Sequence, residues 1–198
     1  NLCSRGNRRV FDPDSPGLSV GVIGAGTMGR GIAQVCAVAG YPVVMHDSFP
    51  DVAQEGLEFI RKILARSVEK GRLSSGDADD AVARISCVDT LEGMAGCGLV
   101  IEAAAEIPDV KKDLFRALDD IVSEQAVLAT NTSSLSVTEI AAATRLPERV
   151  VGLHFFNPPP LMALVELIFT LKNDSQLIDN INKFVESIGK APIRIKDS

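Results

Sequence analysis

Along this chain, short apolar runs alternate with longer stretches in which apolar residues recur every three or four positions. That pattern predicts strands alternating with helices. Val20, Val22 and Ile23 form the first run, an Ala-rich stretch extends to Gly40, and Val43, Val44 and Met45 form the second run. From 52 to 70, the apolar residues Leu57, Ile60, Ile63 and Leu64 keep helical spacing, with Gly71 as the stop; Ser74 and Ser75 then cap a second helix that turns Ala78, Ala81 and Val82 inward. This αα insertion separates the second strand from a third over 84–88. After a short helix or turn at 91–97 come a fourth strand at 98–103 and a helix from Pro108 to Val122, with Val110, Leu114, Leu118 and Ile121 on its inner face. A fifth strand at 126–129, a sixth at 150–155, a seventh at 164–169, a helix at 175–188 and a last strand at 193–195 complete the pattern.

Such alternation is the mark of an α/β fold with a doubly wound, mostly parallel sheet, whose ligands sit beyond the carboxyl ends of the strands. The first strand runs directly into Gly24-Ala25-Gly26-Thr27-Met28-Gly29. Gly24 permits the tight turn, Gly26 lets a pyrophosphate approach the backbone, and Gly29 lets the new helix lie close to the strand. The free N–H groups at the helix start, including those of Thr27 and Met28, then face the phosphates. Asp47 ends the second strand eighteen residues beyond Gly29, where a carboxylate accepts hydrogen bonds from ribose hydroxyls. Its charge repels a 2′-phosphate, and neither Ser48 nor Phe49 neutralises one, so the expected cofactor is NAD and not NADP.

Composition narrows the classes further. The 198 residues are 46% hydrophobic and 23% charged, as expected of one globular core, and the net charge of −6, with no basic cluster, argues against a nucleic-acid partner. No apolar run reaches the roughly 18 residues of a membrane span. Cys3, Cys36, Cys87 and Cys97 show no metal-ligand spacing; they read as buried or free thiols in a reducing, cytoplasmic compartment, with no metal site. Residues 1–17 carry Arg5, Arg8 and Arg9, then a Pro- and Asp-rich stretch with little to bury; they are expected to be a disordered arm or expression scar, a presequence remnant being the other reading.

His154 is the strongest acid/base candidate, since imidazole titrates near neutrality unaided. It stands at a strand end, followed by Phe155-Phe156-Asn157-Pro158-Pro159-Pro160, and Glu166 lies twelve residues on in an apolar strand. The pair reads in two ways on the residues alone: a base oriented by an acid, or a salt-bridged core histidine beside a solvent-facing Glu166. Asn131-Thr132-Ser133-Ser134 ends the fifth strand, where hydroxyls and amides reach ligands, although capping and turn formation are the default roles. Glu106 and Lys111 flank Pro108, where a solvated face is the plain reading. His46 reads as structural, and Phe155, Phe156 and Met162 as an apolar approach to the site.

Together, residues 20–47, 100–115, 131–135 and especially 154–166 (HFFNPPPLMALVE) resemble the NAD-binding domain of the L-3-hydroxyacyl-CoA dehydrogenase family, over nearly the whole of 18–198. The resemblance implies a Rossmann-type fold and NAD-dependent oxidation of L-3-hydroxyacyl-CoA to 3-ketoacyl-CoA, a step of fatty-acid β-oxidation or 3-hydroxybutyryl-CoA metabolism. It places the catalytic histidine at His154, its orienting acid at Glu166 and a substrate-binding serine at Ser133. The NAD site falls on the Gly-rich turn, Asp47, Glu106, Lys111 and Asn157, with Asn131 beside them. The family also implies a helical second domain that closes over acyl-CoA and forms a homodimer; this chain is expected to be truncated before it and weakly active alone. The other readings are a silent NAD-binding module and a dehydrogenase of another 3-hydroxy acid.

Overall fold

The computed structural model describes residues 11–49 and 51–197. Eight strands form one sheet in the order β3-β2-β1-β4-β5-β6-β7-β8, comprising β1 (Val20–Ile23), β2 (Val43–His46), β3 (Ile85–Val88), β4 (Leu99–Glu102), β5 (Val127–Thr130), β6 (Val150–Phe155), β7 (Leu164–Phe169) and β8 (Ala191–Lys196). Every neighbouring pair is parallel except β6 with β7. The order reverses between β1 and β4, and at that switch point the connections leave in opposite directions and open a crevice.

One face of the sheet is covered by α1 (Thr27–Val38), α2 (Val52–Glu69), α3 (Ser75–Ala83) and α6 (Ser175–Ser187), and the other by α4 (Pro108–Ile121) and α5 (Val137–Ala141). Because side chains alternate along a strand, Val20 and Val22 pack under α1 while Ile23 faces α4. Core residues such as Ile32, Met45, Ile60 and Phe184 are fully buried, each contributing about 1.5–3 kcal/mol of transfer free energy. The αα insertion is α2 and α3. Gly71 ends the first with φ +66°, and the Ser74 hydroxyl accepts from the Asp77 amide at 3.0 Å to start the second.

Three expectations change. The stretch 11–17 is anchored at its start and exposed from 14 to 17: Phe11 is buried edge-on to Phe184, with ring centroids 6.4 Å apart, and its carbonyl accepts from the Asn180 amide. Residues 1–10, Pro50 and Ser198 lie outside the described residues. Val110 is 44% exposed and Lys111 takes the inner position instead, because a carboxylate beneath α4 needs a cation. Finally, α5 is an element that the alternation above does not include; its signals are Val137, Ile140 and Ala141 at helical spacing and the Ser136–Glu139 pair, whose hydroxyl and amide form the helix cap at 3.3 Å.

Candidate active site

Gly24 turns the chain out of β1 with φ +87°, and a Cβ there would lie 2.6 Å from the Ala103 carbonyl oxygen. A Cβ on Gly29 would lie 1.6 Å from the Gly24 carbonyl oxygen, so only glycine lets α1 start this close to the strand. Gly26 differs from both: a Cβ there would meet no protein atom within 4 Å, and that open space borders a cleft of about 520 Å³ also lined by Asp47, Phe49 and Ala103. The first turn of α1 has neither a side-chain cap nor an acidic residue. Its N–H groups and positive end are therefore left for an anion from outside the chain. Asp47 faces this turn, its two carboxylate oxygens accepting from the Ala25 amide at 2.8 Å and the Phe49 amide at 3.0 Å, and each retains acceptor capacity. The donors, the space beside Gly26 and the carboxylate at the cleft edge fit a dinucleotide.

From Gly24 the rim continues through side chains. Glu102, the last residue of β4, is fully buried and accepts from the Ala104 amide at 2.7 Å, the Thr130 hydroxyl at 2.7 Å and Lys111 Nζ at 2.6 Å. Lys111 is only 1% exposed, so the solvated-face reading fails for it. Burying this charge is tolerated because Glu102 pairs with it directly and Glu106 stands 3.3 Å away. Burial pushes the Glu106 carboxyl up, but hydrogen bonds from Thr132 and Ser133 and the Lys111 charge outweigh it and hold the group below its usual range. Glu106 accepts from the Thr132 hydroxyl and, at 3.0 Å, from the Ser133 amide, which ties the start of α4 to the loop after β5. The Ser133 side chain is exposed, and nothing among the described residues bonds its hydroxyl.

Asn131 carries the rim to the next strand, its Oδ1 accepting from the Phe155 amide at 2.8 Å. The antiparallel register sets His154 directly opposite Glu166, and Nδ1 lies 2.7 Å from Glu166 Oε2. Phe156 lies against the imidazole, 4.7 Å between centroids with the rings tilted by 49°. Nε2 has no hydrogen-bond partner among the described residues. The bond is common to both readings of the pair, and Glu166 keeps part of its side chain, 28%, exposed to solvent. Asn157 is exposed just beyond β6. Phe155 is buried in the core on the opposite sheet face, so of the three apolar residues expected at the approach only Phe156 touches the imidazole and Met162 is 39% exposed. His46 is buried, its Nδ1 3.1 Å from the Val88 carbonyl oxygen, in keeping with a structural role.

Sequence reasoning gave no individual role to Glu102 or Thr130, whose only sequence signal is polarity at strand ends that are otherwise apolar; Thr132 belongs to the Asn-Thr-Ser-Ser stretch, but its bond to Glu106 was not expected.

The description "3-hydroxyacyl-CoA dehydrogenase, NAD binding domain" belongs to the family model that matches residues 19–198. The chain belongs to this family. A probable 3-hydroxybutyryl-CoA dehydrogenase of Bacillus subtilis is 43% identical over 176 residues, 89% of this chain and 61% of the relative. The mouse mitochondrial hydroxyacyl-coenzyme A dehydrogenase is 38% identical over 185 residues, 90% of this chain and 59% of that protein. The crystal structure of 3-hydroxybutyryl-CoA dehydrogenase from Escherichia coli K12 superposes with a TM-score of 0.90 at 39% identity, covering 91% of this chain and 38% of that one. The chain thus spans about three fifths of the length of the two curated relatives. As a member of the 3-hydroxyacyl-CoA dehydrogenase family it carries the NAD-binding domain, and the Gly-rich turn and Asp47 are the parts of its rim that match a dinucleotide in shape and charge. Among the described residues no helix is long and apolar enough to cross a membrane.

Proposed function

We propose that this domain serves the NAD-dependent oxidation of an L-3-hydroxyacyl-CoA to the 3-ketoacyl-CoA. The observation that carries the reading is the His154–Glu166 pair: a 2.7 Å bond on Nδ1 and no partner on Nε2, at the rim that continues from the Gly-rich turn. The turn and the start of α1 would hold the pyrophosphate of NAD, and Asp47 the adenosine ribose, where its charge excludes a 2′-phosphate. When bound, NAD supplies a nicotinamide ring that takes up hydride from the carbon bearing the hydroxyl.

The protein's own residues handle the proton. With Glu166 accepting from Nδ1–H, the tautomer is fixed and Nε2 is left basic, so it removes the proton of the 3-hydroxyl. The imidazolium that results is stabilised by the carboxylate already in contact with it. The Ser133 hydroxyl donates to the substrate oxygen as it becomes a carbonyl, and Glu106 holds that loop in place through the Ser133 amide. Asn131 supports His154 indirectly by fixing the neighbouring Phe155 amide, and Asn157 and Lys111 complete the surroundings of the cofactor, the latter from beneath Glu106.

Steady-state assay of His154→Gln in the full-length protein, with 3-hydroxybutyryl-CoA and NAD, tests this reading. The expected result is a loss in kcat of about 10²–10⁴-fold with the NAD dissociation constant unchanged. Full activity in that variant removes the base and leaves a nucleotide-binding module.

A further inference from the structure

The loop bearing Ser133 is held from two sides. Glu106 grips its beginning; its end is gripped from the far end of the described chain. Asp197, the first residue beyond β8, accepts at a single oxygen, Oδ2, from the Ser136 hydroxyl at 3.1 Å and from the Thr138 amide at 2.7 Å. Its own amide donates to the Phe169 carbonyl at 2.9 Å, which fixes Asp197 to the last residue of β7, the strand that carries Glu166. Ser136 in turn caps α5 through the Glu139 amide. Val137, the next residue, packs so closely on β6 that a Cβ at Gly152 would lie 3.0 Å from its side chain. Gly152 is two residues before His154, on the same face of the strand.

The geometry points to Asp197 as a positioning residue: through Ser136 and Thr138 it sets where the Ser133 hydroxyl stands relative to the His154–Glu166 pair. The inference rests on the reading above that Ser133 binds the substrate oxygen. Two residues, Ser134 and Leu135, separate Ser133 from Ser136, so the loop has little slack, and its two anchors stand far apart in the chain, Glu106 just before α4 and Asp197 just after β8. Burial pushes the Asp197 carboxyl up, while bonds to Thr138, Ser136 and the Val137 amide outweigh it and hold the group below its usual range.

The test compares Asp197→Ala and Asp197→Asn with the wild type in the full-length protein. Replacement by alanine is expected to lower kcat/KM for 3-hydroxybutyryl-CoA about tenfold, with the NAD dissociation constant within about twofold of wild type. The asparagine variant restores kcat/KM, since its amide oxygen accepts the same two bonds. Amide hydrogen exchange at Thr138 is expected to be about tenfold faster in the alanine variant and close to wild type in the asparagine variant. Wild-type kcat/KM in Asp197→Ala overturns the inference. So does a parallel loss of NAD affinity, or a failure of asparagine to rescue, either of which marks a general structural role. If the wild-type protein itself does not oxidise the substrate, the proposed function has failed. Thr138 exchange then still decides whether Asp197 anchors the loop, and unchanged exchange in Asp197→Ala overturns that as well.

Discussion

Along β1 and the start of α1 the rim is made of backbone, whereas along β6 and β7 it is made of side chains. The Gly-rich turn brings carbonyl and amide groups to the cleft by leaving out atoms, and a single added Cβ at Gly29 would sit 1.6 Å from an oxygen. The His154–Glu166 end does the reverse, bringing two functional groups from strands of opposite direction into contact at 2.7 Å. The backbone part is built from about thirty consecutive residues, with the Ala103 carbonyl as the distant group that closes on Gly24. The side-chain part depends on register, and a slip of one residue would turn every side chain of the strand to the other face. One half is therefore intolerant of added volume, the other of lost pairing.

Three substitutions sharpen this contrast, in falling order of effect. Glu166→Gln leaves volume unchanged but removes the charge that fixes the imidazole, so kcat is expected to fall by about three orders of magnitude, roughly 4 kcal/mol, with NAD binding intact; single-turnover NADH formation measures it. Gly29→Ala adds one methyl against backbone that cannot move away, and the expected loss is about 3 kcal/mol of folding stability, read from denaturant unfolding, together with weakened NAD binding. Gly26→Ala adds the same methyl facing open space. Its unfolding midpoint is expected to match wild type while the NAD dissociation constant rises about tenfold, roughly 1.4 kcal/mol, by calorimetric titration. Equal NAD affinity in Gly26→Ala and wild type would remove the pyrophosphate from that space, and a normal midpoint for Gly29→Ala would break the contrast itself.

The same contrast explains what could be read from the sequence. Gly24, Gly26, Gly29 and Asp47 were legible because each obeys a local rule of turn, close approach or strand end, all within one βαβ unit. The strands and most helices were legible from periodicity. His154 and Glu166 stood out as residue types, but the twelve positions between them said nothing about register, and the bare sequence left their contact open. Lys111 was misread because apolar periodicity gives no weight to a cation that is buried by pairing; Glu102, beneath it, determines which residue of α4 turns inward. The burial of Phe11 was not legible for a related reason, since its partner Phe184 lies at the far end of the chain and no local pattern records it.

The antiparallel turn between β6 and β7 has a consequence for how such a domain diversifies. Cross-strand bonding from Gly152–Ile168 to Phe155–Val165 holds the imidazole and its carboxylate together independently of the residues at the hairpin tip. The tip has its own moorings, with Lys190 donating to the Pro159 and Met162 carbonyls at 2.7 and 2.8 Å, and Pro159 filling the space that Gly31 leaves on α1. A graft that keeps those moorings can exchange the exposed Leu161 and its neighbours for other shapes while the His154–Glu166 contact stays as it is.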